Sequence, residues 1–512
     1  MEDSSQQKSL ASQRASNPAL IEDFGIEGLY SYRDISFSTK YAATILIAGN
    51  GSGKTTLLGA LDAFLNLQFT RLRNLQFKKI VCKFHNRVIP LELTYETLSE
   101  FLTIPTDGEL VRTALRFNVE APALFDFLVE VWPGLTSPTR LSDSPKVYSQ
   151  ILQGIGYSYR DAAAICNKLY NELFARSPLL GEMADIVRAQ MDGYDVVYLP
   201  TYRRVELALR SDEEVPPHRR TKPRFEVDPG SLFTGNIQFG LSDLSDRLKE
   251  LNQMISRKSN NGYREISAGI INELIDGSFE SAPVTQEEIP SRDALNLFFA
   301  RLEQGRKDQP FGPVAIPNID RIYNREEVPV ASSKFLSYFL SKLGTAIKAT
   351  RETELSVEDF VKSCNRYLSF EEASTFLKGT APSEHQIHKG KALILNRADM
   401  RVHVQSHPGG PRIPLDALSS GEKQMVSLFA KIYLYPGKKI VLIDEPELSL
   451  SIDWQRQILL DVLTSPLCHQ IVAITHSPFV FDNDLEPFAK ALTTRSIQTT
   501  SVPSNVDEDS YE

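Results

Sequence analysis

The stretch T-I-L-I-A-G-N-G-S-G-K-T-T-L-L, Thr44 to Leu58, constrains this chain more than any other. Its opening apolar run, Leu46 included, reads as a buried parallel strand. Gly49, Gly51 and Gly53 follow, interleaved with Asn50 and Ser52, and then come Lys54, Thr55 and Thr56. Leu57, Leu58, Ala60, Leu61 and Phe64 suit the inner face of a helix. Strand, glycine loop, lysine and helix follow one another in the order that a phosphate cradle needs. Glycines let successive backbone N–H groups turn toward one anion, and the helix start adds free donors and a favourable dipole. Lys54 can reach β- and γ-phosphates, and the Thr55 hydroxyl can ligate Mg²⁺. A hydrogen bond to a charged group contributes ~1.5–3 kcal/mol, so several together can hold a triphosphate. The pattern G-x-x-x-x-G-K-[ST] asks for glycine at position 48, where this chain has Ala48. Alanine is tolerable at a strand end if φ is negative. The alternative is a glycine-rich turn that binds nothing.

The length of 512 residues predicts two or more domains or lobes. Hydrophobic content of 42% and charged content of 24% belong to a globular protein. No apolar run approaches the ~18 residues of a membrane span, and the N-terminus lacks a signal-peptide core. The four cysteines, Cys82, Cys166, Cys364 and Cys468, lie far apart without C-x-x-C spacing. That predicts a reduced, cytoplasmic protein without structural zinc. A net charge of −9 argues against a protein that coats nucleic acid, though a local basic groove stays open.

Along the chain, residues 1–20 read as a disordered polar tail. Residues 24–40 look like a hairpin or strand pair, with Ile26, Leu29, Ile35 and Phe37 inward. Tyr30, Tyr32 and Arg33 fit either an adenine contact or cross-strand packing. Leu75, Phe77, Ile80, Cys82 and Phe84 suggest a strand with basic residues on its other face. Helical patterns fill residues 94–192, and Val196 to Leu199 then reads as a core strand with Arg203 and Arg204 past its end. The basic loop holding Arg219, Arg220, Lys222 and Arg224 is either solvated or meets phosphate or an acidic partner. Helical patterns return from 240 to 380 as a compact lobe with no extended coiled coil. Lys391 to Gln405 reads as two short strands around a turn. His385, His388, His403 and His407 lack metal-site partners and read as incidental.

The last third carries a second group of motifs. L-S-S-G-E-K-Q, Leu418 to Gln424, enters an amphipathic helix. Its Ser419 and Gly421 form either a capped helix start or a second anion site. Ile440 to Ile443 is a strand ending in Asp444 and Glu445. Paired carboxylates at a buried strand end are costly unless they serve a cation or a proton. Asp444 fits a Mg²⁺ holder and Glu445 a general base. A third strand, Q-I-V-A-I-T-H-S-P-F, ends at His476, which can hydrogen-bond a γ-phosphate and the attacking water.

These parts stand in the order found in ABC-type ATPases: Walker A (Ala48 to Thr55), signature (Leu418 to Gln424), Walker B (Ile440 to Glu445), D-loop (Glu447 to Ser451) and switch histidine (His476). The chain resembles the head domains of the SMC, RecF and OLD-like group. Its L-S-S-G-E-K-Q, D-E-P-E-L-S-L and T-H-S-P-F are most similar to the OLD and PtuA-type ATPases of bacterial antiphage systems, Septu and retron-associated. The resemblance covers residues 22–65 and 390–485. It implies an α/β fold: an ABC-type P-loop ATPase head, a mixed sheet flanked by helices, with a large, mainly helical inserted lobe. The head would be split into 21–93 and 386–490, the helical lobe would span 94–385, and 491–512 would be a flexible acidic tail. ATP and Mg²⁺ are the implied cofactors. ATP would be sandwiched between two heads, so that Walker A of one copy faces Ser419 and Gly421 of another, in a homodimer or larger homo-oligomer.

The chain also departs from those relatives. Ser420 replaces a glycine of the usual signature, Ser451 and Ile452 stand where His-Pro is common, and only Gln68 and Gln76 offer themselves as the Q-loop glutamine. These departures point to slow hydrolysis. OLD nucleases carry a Toprim domain after the ATPase, whereas here only a short stretch follows His476. The expectation is therefore an ATP-hydrolysing sensor or scaffold that controls a separate nuclease or toxin effector, with nucleic acid or a retron ribonucleoprotein as a further partner and no membrane. The alternatives are a RecF- or SMC-like DNA-repair ATPase and, more remotely, the ATPase subunit of a transporter.

Overall fold

A computed structural model describes residues 10–134, 145–200, 241–276, 289–304, 317–323, 330–368, 390–407 and 409–497. Two compact units divide the chain: residues 1–238 with 437–512, and residues 239–436.

The first unit holds two sheets. One is antiparallel, built from β1 (Ile21–Leu29), β2 (Arg33–Ser38), β4 (Lys79–Phe84), β5 (Leu91–Thr94) and β13 (Thr493–Ser496), in the order β13-β2-β1-β4-β5. Ile26 pairs with Ile35, and Ile26, Leu29, Ile35 and Phe37 are all buried, as the alternation predicts. Ile80, Cys82 and Phe84 line the inner face of β4. On its other face Lys79 pairs with Glu27 and Glu92, and Lys83 with Glu22, so these basic residues are already neutralised.

The second sheet is parallel throughout: β12 (Ala489–Ala491), β3 (Ala43–Ile47), β11 (Cys468–Thr475), β10 (Lys438–Asp444) and β6 (Tyr194–Leu199), in that order. Ile45, Leu46, Ile440 to Ile443 and Ile471 to Ile474 are buried. Near-continuous apolar strands of this kind belong to a sheet covered on both faces. The strand Val196 to Leu199 forms as expected, at the end of the strand order against β10.

Three sequence expectations change. The helices over 95–191 do not share one inserted lobe with the later helices. They join the core of the first unit, where Phe101, Phe125, Tyr148 and Leu169 cluster with Phe64, Ile80 and Leu442. Periodicity reveals that a helix has an apolar face but not which core takes it. Part of the expected N-terminal tail is helical: residues 10–15, with Ala11 and Ala15 buried. Arg14 donates to the carbonyls of Leu463 and Thr464 (3.3 and 2.9 Å) and of Ser465, serving orphan acceptors at the end of the helix Ile452–Thr464. Finally, Thr493 to Ser496 is a strand on β2 rather than part of a flexible tail. Residues 1–9 and 498–512 lie outside the described residues, as do Arg203, Arg204, Arg219, Arg220, Lys222, Arg224, His385 and His388.

In sequence, the second unit is inserted between β6 and β10. It is mainly helical, with helices Leu241–Ile275 and Val330–Leu368 of 35 and 39 residues packed on each other. A Cβ on Gly262 would lie 3.1 Å from that of Ala346, so this glycine permits a close approach of the two. Leu295, Phe298, Phe299, Leu302, Leu340 and Leu343 form its core. A buried ion pair, Arg301 with Glu354, is completed by Thr350 Oγ1 donating to Glu354 (2.8 Å) and by Arg301 donating to the Arg397 carbonyl (2.8 Å). The strands β7 (Ala392–Asn396), β8 (Arg401–Gln405) and β9 (Arg412–Ile413) make a small antiparallel sheet, the first two around the turn expected from sequence.

Candidate functional site

The parallel sheet places the motif residues. β11 lies between β3 and β10, and Leu46, Ile474 and Asp444 sit side by side in one row. One residue beyond Asp444 stands Glu445, and two beyond Ile474 stands His476. The lysine loop leaves from the same end of β3. Neighbouring strands are ~4.8 Å apart, so the ends of three parallel strands bring residues nearly 400 positions apart into one cluster.

The loop itself is shaped for an anion. Gly51 and Gly53 have φ of 73° and 89°. A side chain on Gly53 would be strained and would also meet Ile35 Cδ1 at 3.2 Å. Cβ atoms built on Gly49 and Gly51 would meet nothing within 4 Å. Ala48 is not among the positive-φ residues, so alanine fits there without strain. The helix Lys54–Leu65 begins without a side-chain cap, so its first-turn N–H groups can serve a bound anion. The buried Ser52 hydroxyl has no hydrogen-bond partner among the described residues. Together these donors fit a polyphosphate. Thr55 and Thr56 follow on the first turn, half-buried. Asn50 is exposed.

Lys54 is only 6% exposed. Its Nζ lies 2.9 Å from Glu445 Oε1 and is hydrogen-bonded to His476 Nε2. His476 Nε2 is 3.4 Å from the same Glu445 oxygen. Glu445 itself has φ of 54°, and its N–H donates to the Ile474 carbonyl at 2.8 Å. A left-handed conformation at a non-glycine residue costs about 1–3 kcal/mol and turns the Glu445 side chain away from the path of its strand. Asp444 is 1% exposed at the end of β10.

Arg33 donates to the Gly51 carbonyl at 2.6 Å while stacking over Tyr32 at 4.3 Å. It thereby ties β2 to the loop. Tyr30 and Tyr32 are exposed. Gln68 is engaged in a structural network: its Oε1 accepts from Arg71 at 2.5 Å, and Arg71 also pairs with Asp62 at 2.7 Å. The Gln76 carbonyl accepts from the Tyr30 N–H at 2.9 Å.

Ser419 lies in the other unit and caps the helix Ser420–Tyr433. Its Oγ accepts from the Glu422 N–H at 3.4 Å, while Glu422 Oε2 accepts from the Ser419 N–H at 2.6 Å. Lys391 pairs with Glu422 at 2.7 Å. Of the two readings of this segment, the capped helix start is realised within one chain. Gly421 is buried in its first turn.

Sequence reasoning placed Glu447 only as the start of the D-loop and gave it no role, and it did not single out Gln455. Glu447 accepts from the Thr475 hydroxyl at 2.8 Å and from the N–H groups of His476 and Ser477 at 2.8 and 3.3 Å. Burial pushes its carboxyl above the usual range. The available signal was a third carboxylate within four residues of a buried strand end.

A parallel sheet whose central strands carry a phosphate loop, paired carboxylates and a histidine at one end defines a P-loop ATPase head of mixed α/β fold. The model of the family described as "AAA domain, putative AbiEii toxin, Type IV TA system" matches residues 192–482, more than half of the chain, and the chain belongs to that family. Among solved structures, the SMC head bound to the C-winged helix domain of ScpA is similar at 12% identity and a TM-score of 0.33, covering 94% of this chain and 98% of that one. That degree of likeness carries no functional argument. No curated protein matches the chain. No helix among the described residues is long and apolar enough to cross a membrane.

Proposed function

We propose that the chain binds and hydrolyses ATP and serves as the sensor or scaffold subunit of an antiphage defence complex that governs a separate nuclease or toxin effector. The convergence of Lys54, Glu445 and His476 on one point beside an uncapped helix start carries the hydrolytic part. The family's description, which names a putative toxin of a toxin–antitoxin system, supports the defence part, as does the resemblance of the motifs to those of PtuA-type ATPases. The loop residues Asn50 to Thr56 would hold the phosphates, and Thr55 with Asp444 would hold Mg²⁺. The metal supplies charge neutralisation on the phosphates. Lys54 contributes a fixed positive charge in a buried setting, where it acts more strongly than in water. Glu445 orients a water and takes its proton, and His476 donates or accepts a hydrogen bond beside it. Ser419 and Gly421 would act on the site of a second copy, so turnover requires a dimer or a larger oligomer.

The test is purification followed by nucleotide binding and phosphate release. Lys54→Ala should abolish binding. Glu445→Gln should keep binding, stall turnover and trap an ATP-dependent dimer visible by light scattering. Unchanged turnover in both variants would remove the site assignment.

A further inference from the structure

The switch histidine sits one residue beyond β11, in a loop, with its side chain one-third exposed. Packing alone does not fix it. The Glu447 carboxylate receives donors from three consecutive residues, the Thr475 hydroxyl and the His476 and Ser477 N–H groups. These bonds join the loop after β10 to the end of β11. Gln455 joins the same two loops a second time. Its Nε2 donates to the carbonyls of Glu447 and Leu450 at 3.3 and 3.0 Å, and its Oε1 accepts from Ser477 Oγ at 2.7 Å. The loop so held carries two left-handed non-glycine residues, Glu445 and Ser449, and needs outside support to keep that shape.

We infer that Glu447 is a positioning residue for hydrolysis: it grips the backbone on both sides of His476 and so sets the imidazole against Glu445 and Lys54. Hydrogen bonds to an ionised carboxylate are roughly twice as strong as neutral ones, so one side chain can hold the turn. The position matters because a shift of about 1 Å in a reacting group can cost on the order of 100-fold in rate. Burial disfavours ionised Glu447, whereas the bonds from Thr475 and Ser477 favour it.

The inference rests on the hydrolytic reading above, so the experiment has two arms, both on the full chain. In the first, Glu447→Ala lowers kcat by about 10–100-fold while nucleotide Kd moves less than about threefold. Glu447→Gln retains most of kcat, because its carbonyl oxygen still accepts from both amides and its NH2 can donate to the Thr475 hydroxyl. In a His476→Ala background, Glu447→Ala adds little, since it acts through the histidine. In the second arm, without turnover, hydrogen exchange is measured at the His476 amide, because the Ser477 N–H also donates to Thr475 Oγ1 at 3.0 Å. It speeds up in Glu447→Ala and stays slow in Glu447→Gln. Should Glu447→Ala fail to fold, Glu447→Asp, one methylene shorter, is expected to show an intermediate rate and intermediate protection. A wild-type chain without turnover would remove the hydrolytic reading and leave the exchange arm to decide. Unchanged amide protection in Glu447→Ala, or an equal kcat loss with and without His476, would overturn the positioning role.

Discussion

The helix that starts at Lys54 and the helix that starts at Ser420 both carry serine and glycine at their entry, yet their first-turn donors are served in opposite ways. The first has no side-chain cap, a left-handed glycine at its N-cap and a buried serine hydroxyl with no partner among the described residues. The second has a complete capping box, Ser419 with Glu422, and a lysine on the glutamate. An uncapped start in a folded protein leaves donors that something else must satisfy, and an anion does so best. A capped start is complete by itself. In its cap the Ser419 hydroxyl only accepts, so its O–H can still donate to a phosphate of another copy while the cap stays intact. The comparison shows that similar helix-entry sequences can report a ligand site or a self-sufficient turn, and that the state of the first N–H groups tells them apart.

Four experiments sharpen or break this contrast, from the largest effect to the smallest. With Mg·ATP at about 100 times Kd, ligand linkage should stabilise the wild-type chain by about 2.7 kcal/mol, read as a rise in Tm. Lys54→Ala should erase the rise. A rise that survives would place the nucleotide elsewhere. Next, Gly53→Ala should destabilise the free protein by about 1–2 kcal/mol in urea unfolding, because alanine resists the left-handed region and its Cβ would crowd Ile35. Unchanged stability would mean that the loop relaxes and is not held in this shape. Ser419→Ala should cost about 1 kcal/mol through the lost cap, with the nucleotide-induced Tm rise intact at concentrations where the chain is monomeric. Loss of that rise would show that Ser419 reaches the phosphates within one chain. Last, Lys391→Ala should change stability by no more than about 0.5–1 kcal/mol, since its partner pair is partly solvated.

Much of the site was legible because its signals are local. The glycine loop, the strand run to Asp444 and Glu445 and the strand run to His476 each show strand and turn chemistry within a dozen residues. The alternation of Ile26, Leu29, Ile35 and Phe37 likewise predicted their burial. The less legible features depend on distant partners. Arg14 stands in a polar stretch, and its role comes from carbonyls some 450 residues away. Glu447 could be placed in a loop by motif, but its grip on residues 475–477 exists only after β10 and β11 have paired. The helices over 95–191 look like those after 240 by periodicity, and only the packing of Phe101 and Phe125 assigns them to the first unit.

The strand order also sets a timetable for synthesis. β3, which launches the phosphate loop, has β11 on one side and β12 on the other, and both are made more than 400 residues after it. Roughly 420 residues separate β3 from β11, so at about 5–20 residues per second the emerging strand waits ~20–80 s for its first neighbour. During that interval Ile45 and Leu46 lack the partners that bury them. Chains released early by the ribosome, ending before residue 468, would carry this apolar strand unpaired. They should be the species that chaperones retain and that accumulate in inclusion bodies.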